Sequence, residues 1–338
     1  MRALVTGTTG LVGYETAQLL AAEGLEVVGV SRGGARGADV PWPTVTWDMA
    51  LADPPPELRG RWDVVVHCAA DTRWTQPPDD AWRANVDTVV ALRPLVADAT
   101  HVVHVSTAYA VGLRGSPESA ELADYRNSYE WSKAGAERAA RELFERLTIV
   151  RPPLVVGRRG DGRAVRFAGM YTVLRGMASS VVPAIVAVPD AYFDVVPVDD
   201  LAALLSAAVA GEGQGDVLTL AGGTEAPSVG RALELMTEAL NDWREERALD
   251  ALDPPRIVSP DSWTRFFLPF AREHLSARHM RILDLLENFQ PYLAVSEPLR
   301  PTHVVEDVED VIADAVRFWA DANERLASQS PRPWRATA

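Results

Sequence analysis

A tyrosine and a lysine that could perform acid–base chemistry, Tyr129 and Lys133, lie four positions apart at the start of an alanine-rich segment. This spacing places both side chains on one face of a helix. A cation beside a phenol lowers the pKa of the phenol, so that the phenol can exchange a proton with a substrate oxygen. Thr107, 22 positions earlier, could hold the same oxygen with its hydroxyl. An isolated pair of this kind is usually a surface pair, so its meaning depends on the elements that position it.

The first of these elements is a short apolar run from Ala3, followed by glycines at intervals of three. The pattern predicts a strand, a tight turn and the start of a helix. Gly7 allows the turn, Gly10 lets the backbone approach a pyrophosphate, and Gly13 lets the helix pack closely on the strand. The phosphates would lie at the N-terminus of the helix, where the helix dipole favours negative charge. The candidate contacts are Gly7, Thr9, Gly10, Leu11, Val12 and Gly13.

The residues after the second predicted strand, Leu25 to Val30, indicate which dinucleotide binds. NAD-binding chains commonly place an acid here to hold the ribose hydroxyls, whereas this chain has Ser31 and Arg32. An arginine can pair with the additional phosphate of NADP, and a carboxylate would repel it. We therefore expect NADP(H) rather than NAD(H); an exposed arginine on a loop is the alternative. After a short third strand, Asp48 could accept a hydrogen bond from the adenine amine, next to Met49.

Two further strands lead to small and polar residues. The strand Trp62 to Cys68 precedes Ala69 and Ala70. Their small size would let a dinucleotide pass close to the backbone, although strand packing also explains them. The strand His101 to Val105 brings Ser106, a candidate contact of the cofactor, to the same carboxyl edge, beside Thr107.

The helical segments between these strands complete the prediction of fold. A helix over residues 79–98 contains Pro94, which should kink or break it. A second helix begins at Tyr129 and runs to about Arg146. Strands that alternate with helices predict an α/β fold, here a doubly wound parallel-sheet Rossmann fold with a smaller, mostly helical C-terminal substrate domain.

The composition limits the classes of partner. The chain has 338 residues, a formal net charge of −14 and one cysteine, Cys68. The acidic balance argues against nucleic acid as a partner, because phosphate binding needs a basic surface. One cysteine excludes a disulfide framework, and because no cluster has metal-ligand spacing we expect no metal. The first strand begins at residue 2 and no apolar run has the length of a membrane span, so we expect a cytoplasmic protein.

The length predicts about two domains. The expected NADP-binding domain covers residues 1–160 plus about 191–225, with Asp199 and Asp200 capping a helix over 201–210. The expected substrate-binding domain covers about 161–190 plus 226–328, with helices at 228–242, 260–288 and 304–326.

The second domain carries aromatic residues, some of which should face a substrate cleft between the domains. It also has an unusual density of arginines between 158 and 175. One hypothesis is an anion site at Arg163 and Arg166; the alternative is a solvated loop that offsets nearby acids. Residues 329–338 have the composition of a disordered tail.

Taken together and in order, the glycine motif, the Ser106–Thr107 strand end and the Tyr129 and Lys133 pair resemble the extended short-chain dehydrogenase/reductases. Within that family, segments 67–74, 104–109, 151–157 and 167–171, together with Gly162, are similar to the branch of male-sterility proteins, fatty acyl-CoA reductases and thioester-reductase domains, and segment 289–293 is similar more faintly.

This resemblance implies a role for each site residue. Thr107 would polarise the substrate carbonyl, Tyr129 would be the general acid, and Lys133 would bind the nicotinamide ribose and tune Tyr129. Asn85 would support the strand ends. The nicotinamide site would be lined by backbone groups of Pro152, Leu154 and Val155. Residues expected near the substrate are Asp71, Thr72, Trp74, Tyr109, Arg163 and Arg166.

The sequence therefore predicts an NADPH-dependent reductase that transfers a hydride to the carbonyl of an aldehyde, a ketone or a thioester bound to CoA or a carrier, in biosynthetic metabolism. An NAD-dependent sugar-nucleotide epimerase or dehydratase is the alternative, and a non-catalytic NADP-sensing protein is a third reading. Pro94 interrupts a helix often used for dimer packing in this family, so monomer and homodimer both stay open.

Overall fold

A computed structural model of the chain describes residues 1–34, 40–179, 184–274, 280 and 289–330. These residues form two compact units. The first comprises Met1–Pro153, Val198–Leu220 and Pro301–His303, and the second takes its described residues from Leu154–Pro197, Ala221–Arg300 and Val304–Ala338. The domain limits expected from the sequence, at about 160, 190 and 225, stay a prediction.

Twelve strands are formed by the described residues. They are β1 (Arg2–Thr6), β2 (Glu26–Ser31), β3 (Thr44–Thr46), β4 (Val64–His67), β5 (His101–Val105), β6 (Leu147–Arg151), β7 (Leu154–Val156), β8 (Ala184–Val186), β9 (Val195–Pro197), β10 (Val217–Ala221), β11 (Arg256–Val258) and β12 (His303–Val304).

The helices within the described residues are α1 (Leu11–Ala22), α2 (Pro78–Trp82), α3 (Thr88–Val90), α4 (Ser128–Leu143), α5 (Met170–Ala178), α6 (Val198–Val209), α7 (Val229–Glu245), α8 (Pro260–Ser262), α9 (Leu268–His274), α10 (Val308–Ala322) and α11 (Glu324–Ala327). Two π-helical turns, Arg83–Asp87 and Trp263–Phe267, join α2 to α3 and α8 to α9. None of the helices described is long and apolar enough to cross a membrane.

The first unit is built on an eight-stranded, mostly parallel sheet in the order β12, β10, β6, β5, β4, β1, β2, β3. The chain runs outward from β1 to β3, then returns to β4 on the other side of β1 and continues to β5 and β6. This reversal next to β1 is the topological switch point at which doubly wound sheets bind their ligands. The doubly wound parallel sheet predicted from the sequence is confirmed.

Successive side chains along each strand point to opposite faces of the sheet, and both faces are buried. Leu4, Val65 and Val102 point to one face, where they pack in one core with Ala136 and Ala140 of α4. Their neighbours in sequence point to the other face and are also buried. Because both faces are covered, the strands read as continuous apolar runs rather than as alternating ones.

The second unit contains two short parallel ladders, β7 with β9 and β8 with β11. Its helices α7 and α10 pack together through apolar faces. The face of α10 consists of Val308, Val311, Ile312, Ala315, Val316, Trp319 and Ala320. A close contact joins Gly162 to this helix, because a Cβ on Gly162 would lie 2.0 Å from the carbonyl oxygen of Asp314.

Several predicted boundaries differ from the structure. The helix expected over 79–98 ends at Val90, and a 3₁₀ turn at Arg93–Leu95 follows, because Pro94 has no N–H to continue the helical ladder. Asp199 and Asp200 lie inside the first turn of α6 rather than before it. The C-terminal helix expected from 304 begins at Val308, after β12.

Two predictions fall partly outside the described residues. The helix expected over 260–288 is described to residue 274, as α8, a π-helical turn and α9. Of the predicted tail, residues 331–338 lie outside the described part of the chain.

Candidate active site

The turn between β1 and α1 has the backbone geometry that its glycines predict. Gly7 has a φ of +73°, and a Cβ there would lie 2.9 Å from the backbone nitrogen of Ala69. A Cβ on Gly13 would lie 2.4 Å from the carbonyl oxygen of Gly7, so only glycine lets α1 approach the turn this closely. Gly10 is the extended N-cap residue of α1, and no side chain caps that helix. The backbone N–H groups at an uncapped helix start, beside a tight glycine turn, are suited to bind a pyrophosphate.

The residues Thr9, Leu11 and Val12 lie on this turn and on the first turn of α1. Directly after the neighbouring strand β4, the backbone N–H groups of Cys68 and Ala69 donate hydrogen bonds to the Thr6 hydroxyl. The backbone of Ala69 is thus held against Gly7, where a side chain would have no room.

The end of β2 carries the residues that should distinguish NADP from NAD. The Ser31 hydroxyl is buried and donates a hydrogen bond of 2.7 Å to the carbonyl oxygen of Gly34, so it shapes the turn. The Arg32 side chain is exposed and makes no hydrogen bond or ion pair to another described residue. Asp48 lies in the turn after β3, whereas the side chain of Met49 is part of the hydrophobic core.

The segment after β4 is fixed by Asn85, which lies in the π-helical turn Arg83–Asp87. Its amide oxygen accepts a hydrogen bond from the Asp71 N–H, and its amide nitrogen donates to the Asp71 carbonyl and to the Ser132 hydroxyl. The side chain therefore joins the carboxyl end of β4 to α4. This is the supporting role that the resemblance implies for it.

Asp71 is engaged within its own loop. Its carboxylate accepts hydrogen bonds from Arg73 and Gln76. Burial raises the pKa of the Asp71 carboxyl, but the hydrogen bonds and charge of Arg73 outweigh burial, with help from the charge of Arg32, so the pKa lies below its ordinary value. Ala70 and Thr72, on either side, are exposed, and Trp74 is half-buried.

Thr107, Tyr129 and Lys133 come together at the carboxyl edge of the sheet. Thr107 follows β5 and is the N-cap of a 3₁₀ turn, Ala108–Arg114. Tyr129 is in the first turn of α4, and its phenol hydrogen-bonds with Thr107. Lys133 is buried, and its ammonium donates a hydrogen bond of 2.8 Å to the carbonyl oxygen of Val105. The sequence-predicted trio thus meets between β5 and α4.

Burial is the largest influence on the pKa values of Tyr129 and Lys133. It raises the pKa of Tyr129 to about 12, although the hydrogen bond with Thr107 opposes the shift and the charge of Glu130 adds to it. Burial lowers the pKa of Lys133 to about 8, and the charge of Glu137 opposes that shift. The sequence predicts that Lys133 lowers the pKa of the phenol; in the structure the pKa is raised, chiefly by burial, and Tyr129 is a protonated phenol at neutral pH.

Glu137, one helical turn beyond Lys133, is a residue of this site that the sequence reasoning missed. Its carboxylate is fully buried and accepts hydrogen bonds from the Ser106 hydroxyl and from the guanidinium groups of Arg151 and Arg141. The Ser106 side chain, expected at the cofactor, is therefore bound to Glu137. The signal in the sequence was an acid four positions after Lys133, on the same helix face.

Lys133 is also the only lysine in the chain: of the 33 lysine and arginine residues, all the others are arginine.

The remaining predicted residues are dispersed. Tyr109 is buried in the first unit, with the Arg126 guanidinium 6.0 Å from its ring centroid. Pro152 follows β6, and its carbonyl oxygen accepts a hydrogen bond from the Ala108 N–H. In the second unit, the structure describes Leu154 and Val155 on β7 and exposed side chains at Arg163 and Arg166. Among the described residues, no cluster of histidine, cysteine and acidic side chains could hold a metal ion.

A doubly wound sheet with a glycine turn at its switch point, and with Thr107, Tyr129 and Lys133 at its edge, is the arrangement that the resemblance to the extended short-chain dehydrogenase/reductases implies. Within that class, residues 55–205 match the family model described as Male sterility protein. The resemblance drawn from the sequence is confirmed.

Solved structures of both reductases and epimerases share this fold. The terminal R domain from the myxalamid PKS-NRPS biosynthetic pathway matches with a TM-score of 0.69 and 18% identity, covering 97% of this chain and 92% of that one. The Bordetella bronchiseptica enzyme WbmH, in complex with NAD+, matches with a TM-score of 0.66 and 19% identity, over 95% and 98%. UDP-glucose 4-epimerase of Thermotoga maritima, with UDP-glucose, matches with a TM-score of 0.63 and 17% identity, over 95% and 99%. None of the curated proteins matches the chain in sequence.

Proposed function

We propose that the protein is an NADPH-dependent reductase of a carbonyl group, in an aldehyde, a ketone or a thioester bound to CoA or a carrier. The observation that carries the proposal is a partly buried, protonated phenol that hydrogen-bonds with a threonine hydroxyl at the edge of a dinucleotide fold. A phenol with a pKa of about 12 holds its proton at neutral pH. It is therefore suited to donate a proton to an oxygen that becomes negative, which is the requirement of carbonyl reduction.

The cofactor would be held by the elements already described. The pyrophosphate fits the turn at Gly10 and Gly13, and the exposed guanidinium of Arg32 supplies a donor fork for a 2′-phosphate. When bound, the nicotinamide would supply the hydride that reaches the carbonyl carbon.

The chain's own residues would manage the carbonyl oxygen. Thr107 would donate a hydrogen bond that holds the oxygen in place, and Tyr129 would transfer its proton as negative charge develops there. Lys133, with its charge in a water-excluded site, would stabilise the phenolate that remains, and its ammonium would bind the nicotinamide ribose.

An NAD-dependent sugar-nucleotide epimerase is the second candidate. Two of the solved structures with this fold were determined with NAD+ or with UDP-glucose, which favours it. Ser31 and Arg32 oppose it, because they stand where an acid would hold the ribose hydroxyls of NAD. Dinucleotide released from the purified protein by acid would separate the two: NAD retained at one equivalent per chain supports the epimerase.

The proposed reaction is tested by NADPH consumption with an acyl-pantetheine thioester and, separately, with the matching aldehyde. Oxidation of NADPH with either substrate supports the reductase. Consumption with the thioester would establish reductive release of an acyl group, and consumption with the aldehyde alone would define a carbonyl reductase. No oxidation with aldehydes, ketones or thioesters, together with interconversion of a sugar nucleotide, would contradict the proposal.

A further inference from the structure

Glu137 is a carboxylate that the proposed chemistry does not use, although its side chain is fully buried. A buried carboxylate is costly unless it is paired and hydrogen-bonded. Both oxygens of Glu137 have such partners: Arg151 donates bonds of 2.8 and 2.6 Å, Arg141 donates one of 3.1 Å and the Ser106 hydroxyl donates one of 2.6 Å. The arrangement is a built site for one negative charge, held on a rigid helix.

The partners of Glu137 belong to the segments that carry the reacting groups. Ser106 directly precedes Thr107, and Arg151 directly precedes Pro152. Glu137 itself lies on α4, one turn after Lys133. The carboxylate therefore joins the ends of β5 and β6 to the helix that positions Tyr129 and Lys133. A displacement of about 1 Å in such groups can reduce a rate about 100-fold.

Glu137 also carries charge close to a buried ammonium. The groups that face Lys133 from other elements are the Cys68 thiol and the imidazoles of His67 and His104. Burial raises the pKa of Cys68 to about 12 and lowers that of His67 to about 3 and that of His104 well below its ordinary value, so all three are neutral near pH 7. Two groups in the described structure favour the charged form of Lys133, and the carboxylate of Glu137 has the larger effect of the two.

We propose that Glu137 is the positioning residue of this site: its carboxylate keeps Lys133 charged and locks the ends of β5 and β6 to α4. The inference rests on the proposed reductase function, in which a charged Lys133 stabilises the phenolate of Tyr129. Arg151 and Arg141 serve this role indirectly, because they fix the carboxylate and neutralise its cost of burial.

The charge is tested with Glu137→Gln, which keeps the size of the side chain. Because Lys133 is the only lysine, protein grown with ¹³Cε-lysine has a single side-chain NMR signal that reports its ionisation without any substrate. We expect the titration midpoint of Lys133 in Glu137→Gln to fall by about one pH unit or more, as loss of a nearby opposite charge dictates. The alkaline limb of kcat/KM should move to lower pH by the same amount.

Glu142→Gln is the matched control, because it removes one negative charge from an exposed position of the same helix. Its midpoint and its pH profile should equal those of the parent protein. Equal midpoints in Glu137→Gln and the parent protein would overturn the proposal. A parent protein without turnover of any carbonyl would overturn the proposed function, but the titration would still decide whether Glu137 controls the charge of Lys133.

The positioning role is tested with Glu137→Asp, which retains the carboxylate charge but has a shorter side chain. The Lys133 midpoint should stay within a few tenths of a pH unit of the parent value, while kcat falls about tenfold or more. An unchanged kcat would overturn the positioning role.

Discussion

At the scale of single residues, the one lysine of this chain differs from its arginines in position and in ionisation. Every surface cation is an arginine, and the single lysine is buried at the candidate active site. Arginine keeps its charge at all accessible pH values, whereas a buried ammonium titrates near neutrality. The ammonium of Lys133 also donates a hydrogen bond to the Val105 carbonyl at the end of β5. With a pKa of about 8, Lys133 has an ionisation near neutral pH that an arginine could not supply.

The phenol of Tyr129 is the group on which the proposed reaction most depends. Tyr129→Phe should lower kcat at least about 100-fold, because the proton donor is lost. The dissociation constant of NADPH, measured by fluorescence titration, should change less than about threefold. NADPH turnover that survives the substitution would contradict the assigned role.

The preference for NADPH should depend on Arg32. Arg32→Ala should weaken NADPH binding about 10- to 100-fold, since a charge-assisted hydrogen bond contributes about 1.5–3 kcal/mol. Binding of NADH should change little. Arg59→Ala removes another exposed arginine of the same unit and serves as control. Equal losses for NADPH and NADH would show that Arg32 does not contact the 2′-phosphate.

At the scale of elements, the glycine turn is defined by backbone contacts that leave no space for a side chain. Strand β1, the turn and α1 are positioned by the approach of Gly13 to the carbonyl of Gly7 and of Gly7 to Ala69. The apolar residues of α1 do not form one clear face. The close contacts at its glycine-rich start therefore contribute strongly to the position of the helix. The phosphate site and the close packing of α1 on β1 are therefore one structural feature.

This predicts that Gly13→Ala displaces α1. A Cβ at 2.4 Å from a backbone oxygen must move the helix, at a cost of about 1–3 kcal/mol. Thermal unfolding should show a lower midpoint, and NADPH binding should weaken as well. Gly230→Ala is the control, because a Cβ on that helical glycine meets only ordinary contacts, the nearest at 3.4 Å. A fully stable, NADPH-binding Gly13→Ala protein would refute the close-packing argument.

The second unit has a pH-sensitive connection between elements. Asp194, just before β9, is buried and accepts hydrogen bonds of 2.9 Å from the N–H groups of Gly222 and Gly223. Burial raises the pKa of this carboxyl to about 6, although both hydrogen bonds oppose the shift. The folded protein therefore binds the proton more tightly than the unfolded chain does.

The sign of the resulting pH dependence follows from this difference. Between pH 4 and pH 6 the folded state holds more protons, so the contribution of Asp194 to stability falls as the pH rises, by about 3 kcal/mol in total. Asp194→Asn abolishes this fall, while the exposed Asp190→Asn should retain it. Urea unfolding at several pH values measures the difference, and parallel pH profiles for the parent and Asp194→Asn would exclude the assignment.

At the scale of the whole molecule, a net charge of −14 repels anionic ligands unless a local cationic surface attracts them. Arg163 and Arg166 in the second unit are exposed, and neither side chain is hydrogen-bonded to another described residue. They are available to hold a phosphate or carboxylate of a substrate.

If they do so, Arg163→Ser combined with Arg166→Ser should raise the KM for an anionic substrate about tenfold or more, with little change in kcat. The exposed Arg256→Ser is the control for loss of positive charge. The increase in KM should shrink as ionic strength rises. An unchanged KM would remove the anion-site hypothesis.

The sequence by itself determined the local features of this protein. Glycine spacing, apolar runs and the Tyr129 and Lys133 interval predicted the turn, the strands and one face of α4, because each depends on backbone periodicity within a few residues. The strand end at Thr107 was placed for the same reason. Pro94 was predicted to kink or break its helix, and that helix ends at Val90, before the proline.

What the tertiary structure decided is the set of contacts between distant positions. Asn85 joins Asp71 to Ser132, Glu137 joins Ser106 to Arg151, and Asp194 binds Gly222. No local pattern specifies these pairs, because they depend on the order of strands in the sheet and on which helix covers which face. The same is true of the ionisation of Tyr129 and Lys133, since burial is a property of the packed fold and not of the spacing that placed the two residues on one helix.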